Sequence, residues 1–447
     1  MTVRRNLFQI WLVCVAMLQA FASGAQPVTK ISSGWYHSLF LKSDGSFWAM
    51  GTNTFGQLGD GTYNKTNRPK QIVISNVTAI AAGYQHSLLL KSDGSLWAMG
   101  ANSVGQLGNG TFNQTNRPGQ VVASNVTAIA AGYQHSLLLK SDGSLWAMGD
   151  NEYGQLGNSS VNYYTNRPVQ VEASNVTAIA AGDYHSLFLK GDGSLWGMGY
   201  NYYGQLGNGN GANVGLPVQI EASNVMLIAC GGEHSLFIEN DGSLWAMGNN
   251  GNGQLGDGSY NYHGINHPEQ ILASNVTAVA AGEYHSLIIK SDGSLSGMGN
   301  NSNGQLGNGT FNNTNLPGQI VASNVTAVAA GADHSLFLKS DGSLWAMGYN
   351  VAGQLGDGTY NQINRPEQIY VNPGYNIIFT RLLSGGIVQL SFFGNAGANY
   401  ALDRSFSLSP ANWIPQATNP AGSFGMLVFT NTPDPTTNNF WRIRSVP

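Results

Sequence analysis

Apolar residues in this 447-residue chain occur mostly in short runs, separated by polar stretches rich in glycine, asparagine and serine. The stretch GYQHSLLLKSDGSLWAMG, from Gly83 to Gly100, has one apolar run on each side of Ser-Asp-Gly, and it recurs unchanged from Gly132 to Gly149. An Asp-Gly pair suits the positive φ angles of a two-residue hairpin turn. The β-branched segment NVTAIAAG leads into each copy, and Pro118 in the later segment RPGQVV suits an outer strand. The pattern predicts units of four short strands.

Two independent markers show how often this unit repeats. The tripeptide HSL occurs seven times, at spacings of 49 to 51 residues, and the tetrapeptide GQLG also occurs seven times. Periods near fifty residues are typical of propellers and solenoids, and four-stranded units of this kind close into rings. The sequence therefore predicts an all-β, seven-bladed β-propeller over residues 26–372. The ring could close by joining two whole blades or by sharing strands between the chain ends.

The repeat resembles a known family at the residues AGYQHSLLLKSDGSLWAMGANSVGQLGNGT and RPGQVV. These are similar to the regulator of chromosome condensation repeat, whose members form seven-bladed propellers, and the likeness covers about Val28 to Asn372. The chain looks like an exported bacterial type of that family. The family typically has Ala-Cys-Gly before the histidine, and this chain has it only at Ala229–Gly231. The sixth blade also differs from the others, because it has Ser296 where they have tryptophan. Kelch repeats share the period, but their double glycine is missing.

Both ends of the chain differ from the repeats. Arg4 and Arg5 precede an apolar run from Leu7 to Ala22, which predicts a signal peptide over residues 1–25, with a single N-terminal membrane anchor as the alternative. Residues 373–447 have no period and contain five or six alternating or apolar segments, which predicts a small β-sandwich-like module. We therefore expect a protein that is secreted or lies at the cell surface or in the periplasm.

Charge and cysteine content narrow the possible partners. Removing residues 1–25 takes away Arg4 and Arg5 and shifts the formal net charge from −4 to −6. Such a chain does not suit the phosphate backbone of nucleic acids, whose binders carry a basic excess. Cys230 is then the sole cysteine, so no intramolecular disulfide forms. No later apolar run is long enough to cross a bilayer.

The repeated polar residues are better explained by structure than by chemistry. Catalytic sites combine unlike residues in unlike roles, whereas every blade has the same histidine in its HSL, so we expect these histidines to hydrogen-bond neighbouring backbone groups. One aspartate per hairpin makes neither a calcium loop nor an acid/base pair. The Asn-Val-Thr triplets match a glycosylation pattern but are interpreted as turns that lead into strands. We predict no catalytic residue, no metal and no cofactor.

The loops that vary between blades are the candidate binding surface. Strands alternate in direction, so the loop before each histidine and the loop around GQLG emerge on the same face. Both are rich in tyrosine, asparagine and glycine, the composition of adaptable binding loops, and Asp183, Glu233, Glu283 and Asp333 add acid to the same rim. The alternative is that these aromatics only cover the ring. The candidate partner-binding residues are Trp35, Tyr36, Tyr84, Tyr133, Tyr153, Tyr184, Tyr202, Tyr203, Tyr284 and Tyr349.

These observations favour a non-enzymatic, exported scaffold that binds a partner protein through aromatic loops on one face. The resemblance adds two ideas: nuclear exchange factors for a small GTPase that bind chromatin, and exported bacterial propellers that inhibit β-lactamases. The signal peptide and the negative charge make an exchange factor unlikely. A lectin-like or carbohydrate-active surface protein that binds a glycan with the same tyrosines is an alternative, and a purely structural surface repeat protein is another.

Overall fold

The computed structural model describes residues 26–158, 163–369 and six C-terminal strands. The predicted signal peptide, residues 1–25, lies outside the described residues. Every regular element described is a β-strand, and the described residues include no helix that could span a membrane. The predicted fold class is confirmed: seven antiparallel four-stranded sheets, each built from consecutive strands, form a seven-bladed propeller, and Pro27–Tyr370 is one compact unit.

Each blade takes its four strands in chain order. The first strands are β1 (Val28–Ser33), β5 (Val77–Ala82), β9 (Val126–Ala131), β13 (Val176–Ala181), β17 (Val225–Cys230), β21 (Val276–Ala281) and β25 (Val325–Ala330). The second strands are β2 (His37–Lys42), β6 (His86–Lys91), β10 (His135–Lys140), β14 (His185–Lys190), β18 (His234–Glu239), β22 (His285–Lys290) and β26 (His334–Lys339). The third strands are β3 (Phe47–Gly51), β7 (Leu96–Gly100), β11 (Leu145–Asp150), β15 (Leu195–Gly199), β19 (Leu244–Asn250), β23 (Leu295–Gly299) and β27 (Leu344–Gly348). The fourth strands are β4 (Thr66–Ile72), β8 (Thr115–Val122), β12 (Tyr164–Glu172), β16 (Val214–Glu221), β20 (Asn261–Leu272), β24 (Thr314–Val321) and β28 (Ile363–Ile369).

The order of strands defines the axis and the two faces of the ring. First strands of neighbouring blades contact one another around the axis, and fourth strands form the partly exposed outside. The second strands are almost fully buried. We call the face with the loops before the histidines and around GQLG the aromatic face, and the face with the Ser-Asp-Gly hairpins the hairpin face.

The hairpins differ in detail from the two-residue turn that the sequence predicts. The Gly94 amide donates to the carbonyl of Lys91, and only the glycine has a positive φ, of 76° at Gly45 and 75° at Gly94. This geometry is a type I turn followed by a left-handed glycine. The Asp93 carboxylate accepts from the Ser95 amide at 2.9 Å, and the Ser95 hydroxyl accepts from the Trp97 indole at 2.9 Å. The aspartates are therefore turn residues, as predicted.

The Asn-Val-Thr triplets are turns that lead into first strands. Asn125 has a φ of 68° directly before β9, and asparagine takes this left-handed conformation more readily than most residues. The same geometry occurs at Asn224, which lies outside any Asn-Val-Thr triplet. The asparagine is thus needed for its left-handed backbone conformation before the first strand. The match to the glycosylation pattern plays no part in this role.

The ring closes by joining two whole blades. At the interface of the second and third blades, the Val126 amide donates to the carbonyl of Gly94 at 3.0 Å. At the closing interface, the Val28 amide of the first blade donates to the carbonyl of Gly342 of the seventh blade at 3.1 Å. Since the first and seventh blades each have four contiguous strands, no strand is shared between the chain ends. The closing interface repeats the contacts of the internal ones.

The missing tryptophan of the sixth blade affects the interface with the fifth. In other blades the tryptophan packs on the core of the preceding blade, as Trp97 and Trp345 do. The core shared by the fifth and sixth blades contains Ile288 and no tryptophan, and Ser296 is 3% exposed. The change therefore removes an inter-blade contact.

The C-terminal strands form two three-stranded antiparallel sheets. One has the order β29 (Asn376–Leu382), β30 (Val388–Phe393) and β33 (Met426–Asn431), and the other β32 (Ile414–Pro420), β31 (Asn399–Ser405) and β34 (Phe440–Val446). They belong to a unit distinct from the propeller. That these sheets pack as a sandwich, and that the boundary falls at residue 373, stay predictions.

Candidate functional site on the aromatic face

Two residues separate a glycine from the histidine at the start of each second strand. We call the residue after the glycine the axial position and the residue before the histidine the outer position. The glycine is required because a Cβ at Gly132 would overlap the His135 ring and the carbonyl of Gly182 in the next blade. The close approach holds these loops tightly against the axis.

The axial positions surround the mouth of the central channel. A cavity of about 100 Å³ there is lined by the axial positions and the two residues before them in all seven blades. In the first three blades the axial positions are aromatic, Trp35, Tyr84 and Tyr133. In the remaining blades they are small or acidic, and Asp183 and Glu283 supply the carboxylates. The mouth therefore has one aromatic wall and one acidic wall.

The aromatic side chains form a continuous series of ring contacts across five blades. Tyr84 and Tyr133 are stacked with centroids 4.1 Å apart, and Trp35 lies 3.7 Å from Tyr84. Outer-position tyrosines extend the series to the GQLG loops on both sides, since Tyr36 contacts Tyr349 at 5.5 Å. We call this series the aromatic arc; its members, in order, are Tyr349, Tyr36, Trp35, Tyr84, Tyr133, Tyr184, Tyr153, Tyr200, Tyr202 and Tyr203.

Nine of the ten predicted binding residues lie in this arc. The tenth, Tyr284, is at an outer position on the acidic side, where its hydroxyl donates to Glu283. Tyr200 links Tyr153 of the third blade to Tyr202 of the fourth blade and is absent from the predicted set, although it lies in the same kind of loop. At the exposed end of the arc, the Tyr202 side chain is 67% exposed.

Burial raises the pKa values of several tyrosine hydroxyls of the arc. Burial and the nearby Asp333 carboxylate raise the pKa of Tyr36 to about 12, and burial with Glu233 raises that of Tyr200 to about 12. Burial raises the pKa of Tyr84 and Tyr184 further. These phenols therefore act as hydrogen-bond donors with large apolar faces.

The four predicted acidic residues share the other side of the face. Asn249 donates to Glu233 at 2.9 Å, and Gln305 donates to Asp333 at 3.2 Å. The Trp35 indole reaches across the channel mouth to donate to Glu283 at 2.8 Å. Burial, followed by the charges of Glu283 and Glu233, raises the pKa of Asp183 to about 8. Burial also raises the pKa values of Glu233, Glu283 and Asp333.

The seven histidines form a ring of contacts between blades. His135 Nε2 lies 2.9 Å from the Ser186 hydroxyl of the next blade, and that hydroxyl donates to the carbonyl of Gln155 at 2.8 Å. Because the hydroxyl proton is used, the imidazole Nε2 donates to Ser186. The bond goes to a serine side chain and reaches the backbone through it, whereas the sequence predicts a direct bond to the backbone. The equivalent pairs are His37–Ser87, His86–Ser136, His185–Ser235, His234–Ser286, His285–Ser335 and His334–Ser38.

A buried asparagine that sequence reasoning missed shapes each GQLG loop. Asn53 Oδ1 accepts from the Leu58 amide at 3.0 Å, and its Nδ2 donates to the Asp60 carboxylate and the carbonyl of Thr62. The signal was present, because an asparagine precedes GQLG by three residues in all seven blades. It fixes the base of the loops that present the outer half of the arc.

Other reactive groups do not assemble into a site. Cys230 is partly buried at the cavity, and burial raises the pKa of its thiol, so it is not an activated nucleophile. Within the described ranges, no group of three or more histidine, cysteine, aspartate or glutamate side chains could hold a metal ion.

Comparison with known proteins identifies relatives of the propeller. A family model described as RCC1-like domain matches residues 15–272 and 174–389. Over 41 residues, 9% of this chain, the sequence is 46% identical to a Caenorhabditis elegans homolog of the X-linked retinitis pigmentosa GTPase regulator. That match spans 3% of the relative's length, so it characterises a repeat and not the whole protein.

Solved structures share the fold at low sequence identity. Human WBSCR16 matches with a TM-score of 0.66 and 24% identity, over 73% of this chain and 94% of that one. Yeast RCC1 (Prp20), solved bound to Kap60, matches with a TM-score of 0.65 and 23% identity, over 80% and 87%. Prp20p from Saccharomyces cerevisiae, studied with its binding to Gsp1p and histones, matches with a TM-score of 0.66 and 22% identity, over 80% and 90%. These matches show that the propeller fold is shared.

Proposed function

The chain belongs to the family of RCC1-like domains, and from that premise we propose that it is a non-enzymatic scaffold that binds a partner protein through the aromatic arc. Propellers of this family commonly serve as protein-binding scaffolds. The observation that carries the proposal is the continuity of the arc over five blades, on the face where the blades differ in sequence.

The physical case rests on the stiffness of the arc. Each ring is held by the next, as Tyr84 is by Trp35 and Tyr133, so little side-chain freedom remains to be lost when a partner binds. Tyrosine and tryptophan combine a large apolar face with a polar tip and dominate the energetics of many interfaces. The hairpin face is nearly the same in every blade and offers less specificity.

Alanine replacements on the two faces test the binding surface. A partner is captured with the whole chain from culture fluid and cell envelope, and its affinity is measured by calorimetry. Tyr202→Ala, Tyr203→Ala and Tyr284→Ala should each weaken binding by about 1–3 kcal/mol while the fold stays intact. Lys91→Ala, Lys140→Ala and Val73→Ala change side chains toward the hairpin face, and Val73 is fully exposed. If these variants weaken binding and the tyrosine variants do not, the binding face is assigned wrongly. Loss of glycan-array binding in the tyrosine variants would instead support a lectin.

An exchange factor for a small GTPase is the second candidate. It is supported by the family match and by the likeness of the propeller to yeast RCC1 (Prp20). Catalysed release of fluorescent GDP from a small GTPase, abolished by changes on one face, would establish it. Release at the spontaneous rate would leave the scaffold as the better proposal.

We also propose that the protein acts outside the cytoplasm. Arg4 and Arg5 followed by the apolar run from Leu7 to Ala22 support export. N-terminal sequencing of the protein purified from its natural source tests this. An intact Met1 on cytoplasmic protein would contradict it.

A further inference from the structure

We infer that the mouth of the central channel binds a protonated amine, and that the amine is a lysine side chain of the bound partner protein. This inference rests on the proposed scaffold function and names the chemistry at the centre of its binding face. The aromatic and acidic walls of the mouth, the missing counter-charge and the size of the cavity carry it.

One wall of the cavity is formed by aromatic side chains. Trp35, Tyr84 and Tyr133 occupy consecutive axial positions and line the cavity, with neighbouring ring centroids 3.7 Å and 4.1 Å apart. The faces of such rings carry partial negative charge and attract ammonium groups.

The acidic wall lies in the same cavity and has one carboxylate already oriented. Glu283 accepts from the Trp35 indole at 2.8 Å and from the Tyr284 hydroxyl. The Asp183 carboxylate keeps some exposure to the channel but is otherwise surrounded by protein, and no described group donates a hydrogen bond to it. Buried carboxylates are normally paired or hydrogen-bonded, so Asp183 lacks a donor that an ammonium group would supply.

Among the described residues of the propeller, no basic side chain lines the cavity to supply a positive charge. The ion pairs found among the described residues are Lys70–Asp60 and Lys190–Glu172, and none of these four residues lines the cavity. A cation bound at this site would therefore come from outside the described residues. The raised pKa of Asp183 agrees with this deficit, because a carboxylate that lacks a nearby cation retains its proton more strongly.

The size of the cavity limits what can enter. Its volume is about 100 Å³. An ammonium group on a slender alkyl chain fits such a space, whereas a folded segment does not. A lysine side chain satisfies both requirements, since its flexible stem packs along aromatic faces and its tip carries three donors.

The test uses a lysine analogue and its neutral counterpart. Nα-acetyl-lysine methylamide is titrated into the full chain, and binding is followed by calorimetry and by the indole NMR signal of Trp35. We expect saturable binding that the Nε-acetylated compound fails to show. Asp183→Asn should weaken binding at least tenfold, and Glu152→Gln, at an exposed carboxylate on the same face, should leave it unchanged. Thermal melting of each variant checks that the fold is intact.

Proton release provides a second readout. A bound ammonium lowers the pKa of Asp183, so binding at pH 7 should release protons, measured in buffers of different ionisation enthalpy, and Asp183→Asn should abolish the release. Equal binding of the acetylated compound, or full binding by folded Asp183→Asn, would overturn the inference. If the amine binds but Tyr202→Ala leaves partner affinity unchanged, the amine site stands and the proposed use of the arc fails. If the amine does not bind but Tyr202→Ala weakens partner affinity, the amine site fails and the proposed use of the arc stands.

Discussion

Acidification should unfold the propeller through its ring of histidines. Burial lowers the pKa of His135 to about 3, and the other six ring histidines have pKa values lowered to about 3 or 4 for the same reason. Each Nε2 proton is donated to a serine, and the described part of the chain offers Nδ1 no hydrogen-bond partner. Protonation would thus create a buried cation with an unpaired donor.

The magnitude follows from proton linkage. Unfolded histidine has a pKa near 6.5, so between pH 6.5 and about 4 the unfolded chain binds protons that the folded ring does not, and stability falls as the pH falls. Moving from pH 7 to pH 5 costs about 2 kcal/mol per histidine and about 13 kcal/mol for all seven. The free energy of unfolding of a typical protein is about 5–15 kcal/mol, so the effect is decisive.

Buried acids on the aromatic face act in the opposite direction. Asp183, with a pKa raised to about 8, holds its proton in the folded state. Acidification from pH 7 to pH 5 therefore raises the free energy of unfolding by about 3 kcal/mol through this residue. Glu233, Glu283 and Asp333 have raised pKa values and act in the same sense. The hairpin aspartates have lowered pKa values, which matter only below about pH 4. A net loss of at most about 10 kcal/mol remains.

Urea unfolding at several pH values, followed by tryptophan fluorescence, measures this loss. The slope of the free energy of unfolding against pH gives the protons taken up, and we expect about three to seven near pH 5. His135→Asn should lower that number by about one. A free energy of unfolding that stays constant from pH 7 to pH 5 would refute the argument, because it would mean that the ring histidines bind protons equally in both states.

Three further predictions concern stability and domain structure. His135→Ala should cost about 1–3 kcal/mol in urea unfolding through its lost inter-blade bond; an unchanged midpoint would contradict this. Ser296→Trp should stabilise the interface of the fifth and sixth blades by about 1–2 kcal/mol, since Ser294 is in place to accept a hydrogen bond from the indole. In the natural chain, hydrogen exchange should be fastest at that interface, and uniform protection of all blades would show that the interface is well packed. Limited proteolysis should cut near Pro373 and leave two folded pieces, whereas resistance there would argue for one cooperative unit.

The fold could be predicted because its constraints repeat. The markers HSL and GQLG occur once per blade, and both the number of blades and the four-strand unit follow from them. The mode of closure could not be predicted, because equal spacing of markers fits either a shared strand or whole blades. The bond between Val28 and Gly342 is a contact between distant parts of the chain that no local pattern encodes.

The candidate site was predicted less completely. The sequence placed the variable aromatics on one face, yet it did not separate axial from outer positions, because that division depends on which way two adjacent side chains point. Tyr200 is absent from the predicted set although it lies in one of the predicted aromatic loops, and only the ring contacts show that it joins Tyr153 to Tyr202. The acidic residues appeared as a rim, whereas Asp183 and Glu283 lie in the channel mouth.

Closure by whole blades has a consequence for how such a chain evolves. Every interface uses the same histidine–serine pair, including the closing pair of His334 and Ser38, so each blade presents the same pairing residues to its neighbours. A duplication of one unit anywhere in the gene therefore inserts a part that already fits on both sides. The identical copies at Gly83–Gly100 and Gly132–Gly149 agree with such recent gene duplication. Selection is then free to diversify the aromatic loops of each new copy while the pairing residues stay fixed.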